Sequence, residues 1–206
     1  MSDDHGQESW ERRWTQVLAA DAPAADRRHP NAHLLAEVAD LPPGRALDAG
    51  AGHGSEALWL AARGWRVTAV DFSATALARA RHRAERDGVG DRVEAIEADL
   101  GTWTPPAGRF DLVTCLYVHV AGSVTAAVRR LASGVAAGGT LLLVGHRPVD
   151  PSTGAPTRAS GQTQVSVDDA LAALDPERWE ILVAEDRPRE AAGSGVDAVV
   201  RARRRS

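Results

Sequence analysis

The stretch Asp48-Ala49-Gly50-Ala51-Gly52-His53-Gly54 follows the apolar run Arg45-Ala46-Leu47 and opens a helical pattern. Each glycine permits backbone conformations and approach distances that a Cβ forbids. The N–H groups at the start of the following helix favour a carboxylate or a phosphate. The next apolar run, Trp65-Arg66-Val67-Thr68-Ala69-Val70, ends in Asp71. An acid at the end of a second strand can accept hydrogen bonds from both hydroxyls of a ribose. The two features describe a pocket for an adenosine-bearing cofactor.

Which cofactor depends on the third glycine. In the dinucleotide fingerprint G-x-G-x-x-G, counted from Gly50, that position is Ser55, whereas this chain supplies Gly54 one residue earlier and Asp48 two residues before the first glycine. A carboxylate there repels a pyrophosphate and attracts a cofactor carrying an ammonium and a sulfonium.

Outward from this turn the chain alternates strand and helix patterns. Ala74 to Ala84 has helical spacing, Arg92 to Ala98 reads as a strand ending in Asp99-Leu100, and Phe110 to Leu116 is nearly continuously apolar, as a parallel strand buried on both faces should be. Val124 to Ala136 reads as a helix stopped by Gly138-Gly139, followed by a strand over Thr140 to Val144. A loop from His146 to about Gln164 is long enough for an active-site lid or a flexible connection. Val167 to Leu174 reads as a short helix. Trp179 to Val183 and Val196 to Val200 read as a terminal hairpin. The expected fold is α/β: a Rossmann-like, doubly wound, mostly parallel sheet of about seven strands with helices on both faces and a C-terminal antiparallel hairpin.

Length and composition suit one compact domain, residues 41–206, preceded by a helical cover segment, residues 1–40: the chain has 206 residues and 44% hydrophobic content. The single Cys115 excludes a disulfide framework and a cysteine metal cluster, and no metal site is expected. The acidic start and the lack of a long apolar span lead to a cytoplasmic, soluble expectation with no membrane partner. All 24 basic residues are arginine and the formal net charge is −4, which argues against a nucleic-acid surface. The run Arg201-Ala202-Arg203-Arg204-Arg205 reads as a solvated tail.

The pattern resembles motif I of the class I S-adenosylmethionine (SAM) dependent methyltransferases. The whole chain more loosely resembles the small tellurite-resistance-type (TehB-like) and related actinobacterial members. The likeness rests on Leu47 to Gly54, Ala57 to Gly64, Val70-Asp71-Phe72-Ser73, Phe110 to Val113 and Gly138 to Leu141. It implies SAM as cofactor, with S-adenosylhomocysteine (SAH) as product. It further implies that Asp48 and the turn Gly50, Ala51, Gly52 and Gly54 hold the methionine end, and that Asp71 takes the ribose hydroxyls. Phe72 would flank the adenine, Asp99 and Leu100 would bind its edge, and Cys115 would offer its backbone carbonyl to the ammonium. His53 departs from the small or acidic residue usual between the last two glycines.

Methyl transfer from a sulfonium is an in-line displacement, and a general base serves only an acceptor that is protonated at working pH. His119 and His146, just after the fourth and fifth strands, are the candidate bases, with Tyr117 on the same rim. The [DNS]-P-P-[YFW] signature for nucleobase amines is absent, which leaves a small-molecule acceptor carrying O, N, S, Se or Te. Trp10 and Trp14 share a helix face and either line an acceptor pocket or anchor the helix. Asn31 is a further candidate cofactor contact. Two alternatives stay open: a module that holds SAM without catalysis, and a nicotinamide-dependent oxidoreductase, which the lack of any lysine disfavours.

Overall fold

The structure, a computed structural model, describes residues 11, 12, 14–16, 29–119, 122–150, 153–157, 163–188 and 195–206. Backbone proximity divides the chain into two compact units, Met1–Trp103 and Thr104–Ser206. The strand order is β3-β2-β1-β4-β5-β7-β6, the Rossmann-like arrangement with an antiparallel C-terminal pair that the sequence pattern leads one to expect.

The first unit contains α1 (Ala32–Val38), β1 (Arg45–Ala49), α2 (Ser55–Ala62), β2 (Arg66–Asp71), α3 (Ala74–Arg86) and β3 (Val93–Glu97). Its strands are parallel, with Ala49 opposite Val70 and Asp71 opposite Glu97. Ala46, Leu47, Ala69 and Val70 are fully buried, as parallel strands covered on both faces require. Ser73 caps α3 by accepting a hydrogen bond from the Ala76 N–H, and the helix buries Ala76, Leu77, Ala80 and Ala84 at helical spacing. Those small side chains let α3 approach the glycine turn: a Cβ on Gly54 would fall 2.8 Å from the Ala80 Cβ.

The second unit contains β4 (Phe110–Leu116), α4 (Val124–Ser133), β5 (Val135–His146), α5 (Val167–Ala173), β6 (Trp179–Pro188) and β7 (Val196–Arg204). β4 runs parallel to β5, and β7 lies antiparallel between β5 and β6. Two local expectations change. Helix α4 ends at Ser133 rather than at Gly138-Gly139, because Gly134 closes it where a Cβ would meet the Pro105 ring at 2.8 Å. Gly138, at φ +76°, and Gly139 lie inside β5, where the β4–β5 register shifts between Phe110 and Leu112. The arginine run is also not a tail. Arg201 to Arg204 continue β7, Arg203 pairs with Glu180 at 2.7 Å, and the Arg204 guanidinium donates to the Val135 carbonyl.

After β5 the chain folds back on itself. Val149 bridges Pro156, the Thr157 N–H donates to the Pro148 carbonyl at 3.0 Å, and the return segment passes close over Gly145. A Cβ on Gly145 would run into the Val165 carbonyl oxygen. Gly145→Ala is therefore expected to cost about 1–3 kcal/mol by overpacking. Urea denaturation measures this, and an unchanged midpoint would contradict the close approach.

Candidate functional site

Within the first unit the predicted cofactor residues gather around Asp71, which is 7% exposed. Its Oδ2 accepts from the Gly52 N–H and its Oδ1 from the Ser73 N–H, both at 2.9 Å. Burial pushes this carboxyl above its ordinary value. The amides of Ser73, Gly52 and Phe72 pull it down, and the nearby Glu11 charge adds a smaller upward push. The N–H groups of Gly50 and Ala51 both reach the Val70 carbonyl, at 2.8 and 3.0 Å, so the glycine turn is tied to the end of β2 at two places. Gly50, Gly52 and Gly54 have φ of +82°, +51° and +87°, which other residues rarely adopt. Asp48 is buried near the end of β1, Ala51 is buried, and Phe72 is half-buried directly after Asp71.

Asp99 is exposed and opens a turn after β3, with its Oδ1 accepting from the Gly101 N–H and its carbonyl from the Trp103 N–H, each at 2.7 Å. Leu100 beside it is half-buried. Asn31 caps α1, its Oδ1 accepting from the His33 and Leu34 N–H groups. The buried His53 places Nε2 3.2 Å from the Ser55 hydroxyl, and its carbonyl accepts from Arg83 at 2.9 Å.

Sequence reasoning left the role of Trp14 open and missed Glu11. A Cβ on Gly52 would fall 2.7 Å from Trp14 Cζ2, and the Trp14 ring lies 5.0 Å from that of His53, so the indole rests on the glycine turn. Glu11 Oε1 accepts from the Thr75 N–H at 3.3 Å and from the Thr75 hydroxyl. Hydrogen bonds from Ser73 and Thr75 hold its carboxyl below the ordinary value. Trp10 lies outside the described residues.

The second unit brings both candidate histidines into one hydrogen-bonded cluster. His146 Nδ1 lies 2.8 Å from Asp197 Oδ1, and the Tyr117 hydroxyl donates to Asp197 Oδ2 at 2.8 Å. The Tyr117 and His146 rings stack at 3.9 Å. Gln164 Oε1 accepts from the His146 N–H at 2.7 Å, and its Nε2 lies 3.2 Å from His119 Nε2. Tyr117 holds φ +57°, and its N–H donates to the Val144 carbonyl at 2.8 Å. Cys115, two residues earlier, is buried and in no disulfide. Asp197, fully buried, was not singled out in the sequence; its signal is the antiparallel register that sets it opposite His146.

Residues 46–139 match a family model described as a methyltransferase domain. A trans-aconitate 2-methyltransferase of Streptomyces avermitilis is 40% identical over 95 residues, 44% of this chain and 35% of that protein. Ribosomal RNA small subunit methyltransferase C of Alcanivorax borkumensis is 38% identical over 71 residues, 34% of this chain and 21% of its own. The chain thus spans roughly a fifth to a third of the length of these curated relatives. Among solved structures, the N-methyltransferase NodS of Bradyrhizobium japonicum, in complex with SAH, superposes with a TM-score of 0.71 at 18% identity, over 95% of this chain and 98% of its own. A SAM-dependent methyltransferase of Mesorhizobium loti gives 0.65 at 22% identity, over 84% and 99%. Residues 46–139 are therefore similar in sequence to methyltransferase domains, and the chain has the fold of the SAM-dependent methyltransferases. No helix among the described residues is long and apolar enough to cross a membrane.

The Asp71 environment has a consequence for folding. Because its carboxyl binds a proton more tightly folded than unfolded, its contribution to stability is complete below the ordinary carboxyl value of 3.8 and is lost as pH rises through the raised folded value. The stability of the wild type relative to Asp71→Asn is therefore expected to fall as pH rises across that window. Urea titrations at pH 4 and pH 7 measure the difference, and an equal gap at both would contradict the burial effect.

Proposed function

We propose that this chain is a SAM-dependent methyltransferase that transfers the methyl group to a small-molecule acceptor. The observation that carries the reading is Asp71 held between the Gly52 and Ser73 amides, beside a turn of three left-handed glycines. The Asp71 oxygens accept from the Gly52 and Ser73 amides, with the Phe72 amide on the same carboxylate, and a carboxylate offers about four lone-pair sites, so capacity remains for ribose hydroxyls. The glycine turn is a cradle that a Cβ would fill. Asp48 with Gly50, Ala51, Gly52 and Gly54 would hold the methionine end, Phe72, Asp99 and Leu100 the adenine, and the Cys115 carbonyl the ammonium. When bound, SAM supplies an activated methyl on a sulfonium. The chain's own work is to hold the acceptor in line, exclude water and, for a protonated acceptor, take up a proton.

A small acceptor is supported by the relative named for trans-aconitate and by the acidic balance of the chain, which favours no nucleic-acid partner. The histidines His119 and His146 are the proposed proton acceptors. Residues 1–40 are the proposed acceptor-side cover of a single functional domain, a reading that Trp14 resting on the glycine turn supports. The finer likeness to tellurite-resistance-type enzymes, and a cytoplasmic location, stand as parts of the same proposal.

SAH is expected to stabilise the protein by about 2.7 kcal/mol at 100-fold excess over Kd. Asp71→Ala is expected to weaken SAH binding by roughly 2–4 kcal/mol through loss of a charged hydrogen-bond acceptor. Gly52→Val should weaken it at least as much, since its new side chain would also collide with Trp14. Thermal melts and calorimetric titration read these effects. No shift with millimolar SAH would refute the cofactor assignment, and wild-type affinity in either variant would remove that position from the site.

A further inference from the structure

The Asp197 cluster orders the two histidines into different roles. Asp197 is fully buried, and each of its oxygens meets one ring: Oδ1 the imidazole of His146, Oδ2 the hydroxyl of Tyr117. An ionised carboxylate only accepts, so His146 Nδ1 carries the proton and the lone pair of the neutral ring is placed on Nε2. Among the described residues no hydrogen-bond partner of that Nε2 is found, and the side chain is 23% exposed. The neighbouring histidine is different. Gln164 must turn its oxygen to the His146 N–H, so its NH₂ faces His119 Nε2 at 3.2 Å and donates to it. The His119 Nε2 lone pair is thereby engaged, and His146 is the ring left with a directed, open base.

Other features hold this geometry. Tyr117 adopts a left-handed backbone at φ +57°, a conformation that non-glycine residues keep only where the surroundings enforce it. It stacks its ring on His146. Arg147, next along the chain, is paired with Asp186 at 3.3 Å. Among the described residues, the groups facing the His146 ring are Asp197 from β7 and Tyr117 from the segment after β4, with Gln164 on its backbone.

We propose that His146 Nε2 is the general base of the transfer, that Asp197 is its positioning residue, and that the acceptor is a small molecule bearing a phenolic hydroxyl. This rests on the methyltransferase reading above. An oriented imidazole gains little on an acceptor that is already ionised, such as a carboxylate or thiolate, and an aliphatic alcohol is too weak an acid for it. A phenol, with a pKa of about 10 like the tyrosine side chain, lies within reach of partial proton transfer. In the step the phenolic proton passes to Nε2, the oxygen's electron pair forms the bond to the methyl carbon, and the pair of the broken S–CH₃ bond stays on sulfur. The imidazolium, still donating from Nδ1 to Asp197, then releases its proton to water.

Two measurements on the full chain test this. In the protein without added ligand, nitrogen NMR of labelled histidine should show neutral His146 as the Nδ1–H tautomer, and Asp197→Asn should lose that exclusive tautomer. With radiolabelled SAM and phenol as acceptor, His146→Ala should lower kcat by ~10²-fold or more and Asp197→Asn should lower it in the same direction. SAH affinity should be unchanged in both, and Asp197→Glu should recover part of the loss. Both losses should shrink with 4-nitrophenol, a far stronger acid than phenol that is roughly half ionised at neutral pH, a dependence that merely structural damage would not produce. If the Asp197 variant does not fold, His146→Ala, on a partly exposed side chain, carries the same comparison. SAH binding without methylation of either phenol, or full phenol turnover in His146→Ala, would overturn the proposal. A failure to bind SAH at all would instead overturn the cofactor reading on which it stands.

Discussion

The first unit depends on one carboxylate accepting two backbone amides. Asp71 sits at the last residue of β2 and is buried, which is costly for a charge unless its oxygens are hydrogen-bonded. The Gly52 and Ser73 amides supply those bonds at 2.9 Å and in doing so fix two neighbouring segments. One is the glycine turn after β1 and the other is the start of α3, where Ser73 is also the helix cap. Gly54 against Ala80 closes the same triangle through packing instead of hydrogen bonds. Strand end, turn and helix start therefore form one interlocked corner.

The second unit uses the same device in an antiparallel setting. The β5–β7 register puts His146 directly opposite Asp197, and the carboxylate, fully buried, is satisfied by a ring nitrogen and a tyrosine hydroxyl. Gly145 lets the returning segment pass close enough for Gln164 to reach the His146 backbone. A buried acid again organises short, directed bonds around itself. In the first unit those bonds come from the backbone, and in the second from side chains that can move a proton.

The parts of this that the sequence discloses are those governed by local chemistry. Asp48, the glycines and Asp71 stand at the tips of apolar runs, and Phe110 to Leu116 matches β4 residue for residue, because periodicity and glycine placement act over a few residues. Helix α4 stops earlier than its glycine pair suggests, at Gly134, where Pro105 from a distant segment leaves no room for a Cβ. Strands β6 and β7 run past their apolar runs because pairing with each other carries Arg187 and Arg203 into the ladder. His146 was visible as a histidine at a strand end, but Asp197 was not, since its meaning comes from the register of two strands about fifty residues apart. Trp14 could be placed on a helix face from its spacing, whereas its seat on Gly52 is a tertiary contact.

The central claim is that the Asp71 corner is where the ribose of SAM binds. The most direct measurement is a titration of the isotopically labelled protein with SAH, following the amide resonances of Gly52 and Ser73, the two donors to Asp71. The account predicts that these two resonances move together in a saturable transition and stay in place when NAD is added instead. Saturable SAH binding that leaves both amides unmoved, or an equal response to NAD, would contradict it.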